Sequence, residues 1–249
     1  MSFLLHPASA ERVPAPGGPL HASVGHRLVN RHGRTNTPEE FDLLDLTWHL
    51  LPHVFAPVHT DSTELFTTWL PFPVGGNFLE VGCGTGVTSV MAARSGCAHV
   101  TALDITPEAV RNTALNAQRH AVADRVQAVQ SDLYDALAPG ARFDLVFFNS
   151  NAIPAPRDFV YTRPLQHAIF DRDYAAHDRY LREGPSRLTA GGRLFLGFNS
   201  LGDASRLHAL AAESGVRLVE RNRSVRYAGD VPVTFQLLEA FPAGARETA

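Results

Sequence analysis

The chain has 249 residues, enough for one α/β domain with a full core. Its composition, 45% hydrophobic and 19% charged, is that of a globular rather than a disordered protein. A formal net charge of −3 gives no basic footprint for nucleic acid, and no run of about 18 apolar residues predicts a membrane span. All 22 basic residues are arginine, which excludes Schiff-base chemistry on a lysine.

The N-terminus lacks the cationic start and apolar stretch of a secretory signal. The cysteines, Cys83 and Cys97, lack the close spacing of a zinc site or a disulfide framework. His49 and His53 are four residues apart, but Pro52 interrupts any helix that would pair them. We therefore expect a cytoplasmic monomer or homodimer without a metal, a membrane or a nucleic-acid partner.

Residues 1–73 predict an N-terminal arm followed by lid helices. Residues 1 to about 35 are rich in Pro, Gly, His and Arg and predict a loosely ordered arm. Residues 37–40, Thr-Pro-Glu-Glu, have the pattern of a capping box with apolar residues at helical spacing behind them, which predicts a helix ended by Pro52. A second helix is expected around residues 62–70.

Residues 74–243 alternate between short apolar segments and helical ones, which predicts a parallel sheet covered on both faces. The expected strands are 78–81, 99–103, 126–130, 145–148, 194–198, 217–220 and 235–240. The expected helices are 87–93, 107–120, 174–188 with an interruption at Gly184-Pro185, and 204–214. Because residues 221–234 carry no helix, the last strand is expected to be antiparallel. Residues 244–249 are expected to form a disordered tail.

The first predicted strand runs into a glycine-rich turn, residues 80–86, Glu-Val-Gly-Cys-Gly-Thr-Gly. Glycines let a backbone approach a ligand closely, and the following helix presents free N–H groups. The spacing G-x-G-x-G after an acidic residue, with Val87 where a dinucleotide loop needs a small residue, favours S-adenosylmethionine (SAM) over a dinucleotide. The candidate cofactor residues of this turn are Glu80, Gly82, Cys83, Gly84 and Gly86.

Two acidic residues follow the next strands. Asp104 ends the second strand beside Ile105, where a carboxylate can accept hydrogen bonds from two ribose hydroxyls. Thr106 is expected to cap the following helix and so to leave Asp104 for the ligand. Asp132 follows the third strand and could hold an adenine amino group, with the Leu133 N–H at a ring nitrogen; a plain turn aspartate is equally compatible with the pattern.

These motifs, together with residues 188–194, Leu-Thr-Ala-Gly-Gly-Arg-Leu, are similar to those of the class I SAM-dependent methyltransferases. Residues 55–198 most resemble the branch that includes the glutamine N5-methyltransferases of peptide release factors, whose extended segment before the fold is similar to residues 55–64. The resemblance implies an α/β, Rossmann-like fold with a seven-stranded, mostly parallel sheet, and SAM as the cofactor. Thr60 and Thr63 in that segment are expected to lie over the cofactor as part of a lid.

The branch places Asn-Pro-Pro-Tyr at the end of the fourth strand, where this chain has Asn149-Ser150-Asn151-Ala152. Asn149 is kept, but the prolines that pre-set the backbone and the aromatic stacking face are absent. Asn149, Asn151 and Tyr174 are the catalytic candidates, with Asp171 and His177 as further proton acceptors. The same residue types also serve ordinary turn and helix-cap roles.

Methyl transfer to a small amino-acid-like molecule or secondary metabolite, at nitrogen or oxygen, is the leading hypothesis. A second hypothesis is cyclisation of SAM to azetidine-2-carboxylate with release of methylthioadenosine, which needs no separate acceptor. A third is methylation of a protein glutamine, and a fourth is SAM binding without turnover.

Overall fold

The elements were assigned in a computed structural model that describes residues 19–32 and 39–244. The helices are α1 (Pro19–His32), α2 (Ser62–Trp69), α3 (Val87–Arg94), α4 (Pro107–Arg119), α5 (Ala175–Glu183) and α6 (Ala204–Glu213). The strands are β1 (Glu40–Leu43), β2 (Leu46–His49), β3 (Asn77–Val81), β4 (His99–Asp104), β5 (Val126–Gln130), β6 (Phe143–Asn149), β7 (Ile153–Ala155), β8 (Phe170–Arg172), β9 (Leu188–Asn199), β10 (Val216–Ala228) and β11 (Val231–Pro242). Within the described ranges, every helix is too short or too polar to cross a lipid bilayer.

The main sheet has seven strands in the order β10-β11-β9-β6-β3-β4-β5. Strands β5, β4, β3, β6 and β9 run parallel, and β11 is antiparallel to both β9 and β10. Central strand β6 is almost continuously apolar, and Val146 and Phe147 on its two faces are both 0% exposed. Such a strand is stable only with helices on both faces. The predicted α/β, Rossmann-like fold with an antiparallel last strand is confirmed.

The chain builds the sheet outwards from β3, first to β4 and β5, and then returns to place β6 on the other side of β3. The strand order therefore reverses between β3 and β6. In open α/β sheets the crevice beyond the carboxyl ends at such a point is where ligands bind. The fold places the candidate site at that crevice.

The helix predicted over residues 37–51 is wrong: β1 and β2 form an antiparallel hairpin there. Its turn holds Leu44 and Asp45 at φ of 53° and 58°, the twist that two-residue hairpins need. Phe41 pairs with Trp48, and both are buried. Residues 37 and 38, the predicted cap, lie outside the described residues.

Two buried side chains of α4 hold the segment after this hairpin. The Asn116 side chain accepts a hydrogen bond from the His49 N–H at 2.8 Å and donates to the carbonyls of His49 and Thr85. Asn112 accepts from the Leu51 N–H at 2.8 Å and donates to the same His49 carbonyl. These tertiary contacts stabilise an extended chain where the sequence pattern favoured a helix.

The prediction of a loosely ordered arm is wrong for residues 19–32, which form α1. Val24 and Val29 are buried, and Gly25 lies so close to the β7–β8 region that a Cβ there would come within 2.6 Å of the Phe170 ring. The rest of the predicted arm, residues 1–18 and 33–35, lies outside the described residues, and so do residues 245–249 of the predicted tail.

Residues 221–234, expected as a connection, instead continue both last strands to a turn at Gly229. β11 pairs with β9 only from Phe235 to Ala240. Residues 224–234, here called the hairpin tip, therefore project past the carboxyl end of β9. The interruption predicted at Gly184-Pro185 is confirmed, because a 3₁₀ turn (Gly184–Arg187) follows α5.

Candidate functional site

A cavity of about 370 Å³ lies at the carboxyl ends of β3, β4, β6 and β9, a size typical of small-molecule sites. Of the predicted site residues, it is lined by Thr60, Thr63, Glu80, Gly82, Cys83, Gly84, Asp104, Ile105, Asp132, Leu133, Asn149 and Asn151. Gly86 and Tyr174 do not line it. The structure thus brings together nearly all the residues that the sequence singled out.

The glycine-rich turn needs glycine for two different reasons. Gly82, Gly84 and Gly86 all have positive φ, at 69°, 54° and 80°. A Cβ at Gly86 would come within 2.8 Å of the Thr113 backbone, so this glycine serves the packing of α3 against α4. A Cβ at Gly84 would meet no heavy atom within 4 Å and would enter the cavity. The space beside Gly84 is therefore open to a ligand.

Two residues of the turn are buried beneath it. Glu80 is 3% exposed and accepts a hydrogen bond from the Ser89 hydroxyl at 2.5 Å. Burial raises the pKa of Glu80 to about 8. The Cys83 thiol accepts a hydrogen bond from the Thr113 hydroxyl at 3.2 Å, and burial raises its pKa well above the usual range. Cys83 is therefore a structural thiol rather than a nucleophile.

Asp104 joins the turn to the neighbouring strand. One carboxylate oxygen accepts the Gly84 N–H at 3.0 Å, and the other accepts the Thr106 N–H and hydroxyl, both at 2.9 Å. Burial raises the pKa of Asp104, while these hydrogen bonds oppose the shift. Thr106 occupies the predicted N-cap position of α4, followed by Pro107, but its side chain makes no capping hydrogen bond. Its hydroxyl donates to Asp104 instead, so the expectation that Asp104 is left unengaged is wrong. The oxygen that accepts the Gly84 N–H keeps a second lone pair, so the group can still accept from a ligand.

The neighbouring positions suit a flat apolar ring. Ile105 is 38% exposed although it is aliphatic, and it lines the cavity next to Asp104. Leu133 is buried and has φ of 49°. Asp132 is bound at 3.2 Å by the Arg179 guanidinium. Part of its carboxylate is therefore engaged within the protein.

The two asparagines after β6 differ in their contacts. The Asn149 amide donates to the Ser62 hydroxyl over a long 3.5 Å, so its polar atoms are weakly engaged. The Asn151 amide donates to the Phe170 carbonyl at 2.9 Å. Its Oδ1 is buried and has no hydrogen-bond partner among the described residues. Asn149 therefore retains hydrogen-bonding capacity at the cavity wall, whereas the unpaired oxygen of Asn151 is buried behind it.

The structure does not support the catalytic role predicted for Tyr174. Its hydroxyl donates to the Ala152 carbonyl at 2.7 Å and accepts the Asp203 N–H at 2.6 Å, inside the core. Burial raises the pKa of this phenol above its usual range. Tyr174 therefore fastens the start of α6 to the loop after β6.

Asp171 and His177, the other predicted proton acceptors, bind each other. Asp171 accepts both backbone N–H groups of Ala176 and His177 and lies 2.6 Å from His177 Nδ1. Asp171 is therefore the residue that caps α5. No group of three or more His, Cys, Asp or Glu side chains within residues 19–32 and 39–244 could hold a metal ion.

Several cavity residues were not predicted from the sequence. Val24 and Leu28 of α1 lie over the cavity, and His167 stacks on Tyr161 with ring centroids 3.8 Å apart. Arg226 reaches the cavity from the hairpin tip. These residues come from segments outside the α/β core, and their spacing gives no signal, because only the tertiary fold brings them to the site.

The geometry fits an adenosyl cofactor. The open space at Gly84 can admit part of the ligand. The Asp104 carboxylate is hydrogen-bonded to the Gly84 N–H and can accept from the ribose of a ligand bound at this turn. Ile105 offers an apolar face to a purine. The first turn of α3 adds backbone N–H groups directed at the same space.

Comparison with known proteins agrees with this geometry. The family described as "Methyltransferase domain" matches residues 78–163. A release factor glutamine methyltransferase of Bordetella pertussis is 30% identical over 190 residues, which cover 72% of this chain and 68% of that protein. A ribosomal protein L11 methyltransferase of Pelotomaculum thermopropionicum is 47% identical over 75 residues. The chain spans only 24%, 44% and 15% of the length of that protein and two further curated methyltransferases.

Among solved structures, a 16S rRNA N2 G1207 methyltransferase of T. thermophilus, in complex with AdoMet and guanosine, superimposes with a TM-score of 0.58. It is 22% identical, and the match covers 81% of this chain and 49% of that one. This likeness supports the fold. The extent of the Bordetella match shows that the chain belongs to the class I SAM-dependent methyltransferases.

Proposed function

We propose that this chain transfers the methyl group of SAM to a nitrogen or oxygen atom of a small molecule. The observation that carries the proposal is the position of α1, whose Val24 and Leu28 line the same cavity as Gly84 and Asp104. A helix of the chain itself lies over the cavity, and this arrangement favours a small enclosed acceptor over a macromolecular one.

The residues of the site have separate tasks in this proposal. Asp104 and the Gly84 turn hold the ribose and orient the nucleoside against Ile105. When bound, the cofactor supplies a methyl group on a positively charged sulfur, which is a good leaving group. The protein then has to align the acceptor, and alignment alone accounts for much of the rate in such displacements.

Asn149 is the residue best placed to align the acceptor. It ends β6, next to β3, and within the described part of the chain its amide makes only the long contact to Ser62. An amide oxygen there can accept a hydrogen bond from an N–H or O–H group of the methyl acceptor. This hydrogen bond would orient the lone pair of the acceptor's nitrogen or oxygen towards the cofactor.

A protein glutamine is the second candidate acceptor. It is favoured by Asn149, which occupies the first position of the branch's substrate motif, and by the extent of the match to the Bordetella enzyme. Against it stand Ala152, which offers no aromatic stacking face, and the cover formed by α1.

Mass spectrometry of the products distinguishes these reactions. The full chain is incubated with SAM alone, with a panel of amino acids and amines, and with a glutamine-containing peptide. Our proposal predicts S-adenosylhomocysteine together with a methylated small molecule. Methylthioadenosine from SAM alone would instead indicate cyclisation, and a methylated peptide would favour the second candidate.

We further propose residues 74–243 as the methyltransferase-fold domain and the cytoplasm as its compartment. Cys83 and Cys97 are both free and buried, and a reducing compartment keeps such thiols unpaired.

A further inference from the structure

The strand order makes the cavity electrostatically asymmetric. Asp104 ends β4 and Asp132 follows β5, so two carboxylates lie at the end where the cofactor's nucleoside is expected. Arg226 lies on β10, and four strands, β11, β9, β6 and β3, separate β10 from β4. Of the cavity-lining residues that the described chain contributes from β9, β10 and β11, Arg226 is the only one with a charged side chain.

Arg226 differs from Arg179 in the same cavity and from Arg223 on the same strand, because no carboxylate of the described residues pairs with it. Its guanidinium donates to the Ser224 hydroxyl at 2.6 Å and the Val225 carbonyl at 3.0 Å through one nitrogen. Arg223 on the same strand is bound by Glu220 through two hydrogen bonds of 2.8 Å. The planar fork of Arg226 therefore keeps donors that can bind an oxyanion in two-point fashion.

The other arginines of the cavity are not equivalent to Arg226. Arg179 is neutralised by Asp132, Asp135 and Glu183. Arg172 lies over the Tyr161 ring, which stacks on His167, and His167 interacts electrostatically with Asp104 at the nucleoside end. Arg226 is thus the cation on the acceptor side.

Arg226 itself is exposed, but the cavity-lining residues of the neighbouring strand are apolar. Val233 and Phe235 of β11 are buried and line the cavity beside it, while Val24 and Leu28 of α1 lie over the cavity. An acceptor that fills this space has an apolar body and one polar end.

We infer that the acceptor is an amphipathic small molecule whose anionic group, a carboxylate or a phosphate, binds to Arg226. The inference rests on the proposed function and specifies its substrate class. The apolar body lies beneath α1, and the methyl-accepting atom lies near Asn149, between Arg226 and the cofactor.

A pair of fluorescent probes with one scaffold tests this inference. 1-Anilinonaphthalene-8-sulfonate is an amphipathic anion, and N-phenyl-1-naphthylamine is the same scaffold without the sulfonate. Both are titrated into the full chain with S-adenosylhomocysteine present, so that the cofactor end is filled. We expect Arg226→Gln to weaken sulfonate binding about fivefold or more and to change binding of the neutral probe less than twofold. Added salt should weaken sulfonate binding to the wild type but not to Arg226→Gln, because an exposed charge pair is screened.

Arg223→Gln is the matched control, since it removes the same charge from the same strand outside the cavity. It should leave both probes unaffected. Each of three results would overturn the inference. Sulfonate binding could weaken equally in both arginine variants, or Arg226→Gln could weaken binding of both probes equally. The wild type could also bind the sulfonate no more tightly than the neutral probe. The affinity for S-adenosylhomocysteine is measured in the same samples. If S-adenosylhomocysteine does not bind, the proposed function is contradicted. If it binds and Arg226→Gln leaves sulfonate binding unchanged, only the anionic acceptor is contradicted.

Discussion

Asp104 is the residue on which the cofactor site most depends. Its carboxylate accepts from the Gly84 N–H and from the N–H and hydroxyl of Thr106, and it retains a lone pair for a ribose hydroxyl. We expect Asp104→Ala to weaken SAM binding by about 2 kcal/mol, roughly thirtyfold, because charge-assisted hydrogen bonds are lost and two backbone donors lose their partner. Equilibrium dialysis with radiolabelled SAM measures the change.

Asp132→Ala is the comparison for Asp104→Ala. Its side chain is 57% exposed and already engaged by Arg179, so the loss should be clearly smaller. A loss in Asp132→Ala equal to that in Asp104→Ala would contradict the assignment of the ribose carboxylate.

Glu80 makes stability depend on pH. Burial raises its pKa to about 8 in the folded chain, against about 4.3 for an exposed glutamate. Between these values the folded chain holds a proton that the unfolded chain releases, so this group's stabilising contribution is lost as pH rises towards 8. In urea denaturation between pH 6 and 8.5, we expect Glu80→Gln to flatten the decline in the free energy of unfolding.

Glu239→Gln is the matched buried control for this measurement. Burial raises the pKa of Glu239, but the guanidinium groups of Arg193 and Arg221 more than offset this, so the net shift is downward. Its titration therefore lies below the pH range tested, and the variant should lower stability without altering the slope. A slope that is unchanged in Glu80→Gln would show that this carboxyl is ionised in the folded chain.

At the scale of elements, α1 is the helix that covers the cavity and limits its access to solvent. Gly25 allows it to approach β8, since a Cβ would lie 2.6 Å from the Phe170 ring. We expect Gly25→Val to displace α1, and so to speed hydrogen exchange of the α1 amides while exchange in β3 and β6 stays unchanged. Asn30→Val places the same β-branched side chain at an exposed position of the same helix and should have little effect. Equal exchange in the two variants would mean that α1 does not depend on this contact.

Elements were predictable where local pattern and burial agree. The core strands are recognisable as short, mostly apolar segments. Helices α2 to α6 follow from apolar periodicity, since each packs one face on the core. The β1–β2 hairpin was mistaken for a helix because Phe41 and Trp48 fit a helical period as well as a cross-strand pair. Its turn at Leu44 and Asp45 lacks the glycine that normally marks such a turn.

The extended hairpin tip and α1 escaped prediction for a different reason. Residues 224–228 are mostly exposed because they run past the edge of β9, so no alternation of buried and exposed residues identifies the strand. In α1, the flanking Pro and Gly residues obscured a short buried stripe at Val24 and Val29.

At the scale of the whole molecule, the cofactor half of the site could be predicted and the acceptor half could not. Gly82, Gly84 and Asp104 lie within local motifs whose geometry the strand ends determine. Arg226 and the cover formed by α1 come from distant parts of the chain, and Tyr174 belongs to the core although its neighbours line the cavity. Only the folded chain shows which side chains meet.

The strand order places two chemically different ends in one cavity, and we assign one end to the cofactor and the other to the acceptor. In the proposed arrangement, the nucleoside lies over β3 and β4, and the acceptor lies towards β6 and β9 beneath α1. Each end depends on different residues, so Asp104→Ala and Arg226→Gln should impair different binding steps independently.

Isothermal titration calorimetry of the full chain with S-adenosylhomocysteine, alongside NAD, tests the central claim most directly. We predict saturable one-site binding of S-adenosylhomocysteine and no heat beyond dilution with NAD. Absence of binding by S-adenosylhomocysteine and SAM, or comparable binding of NAD, would contradict it.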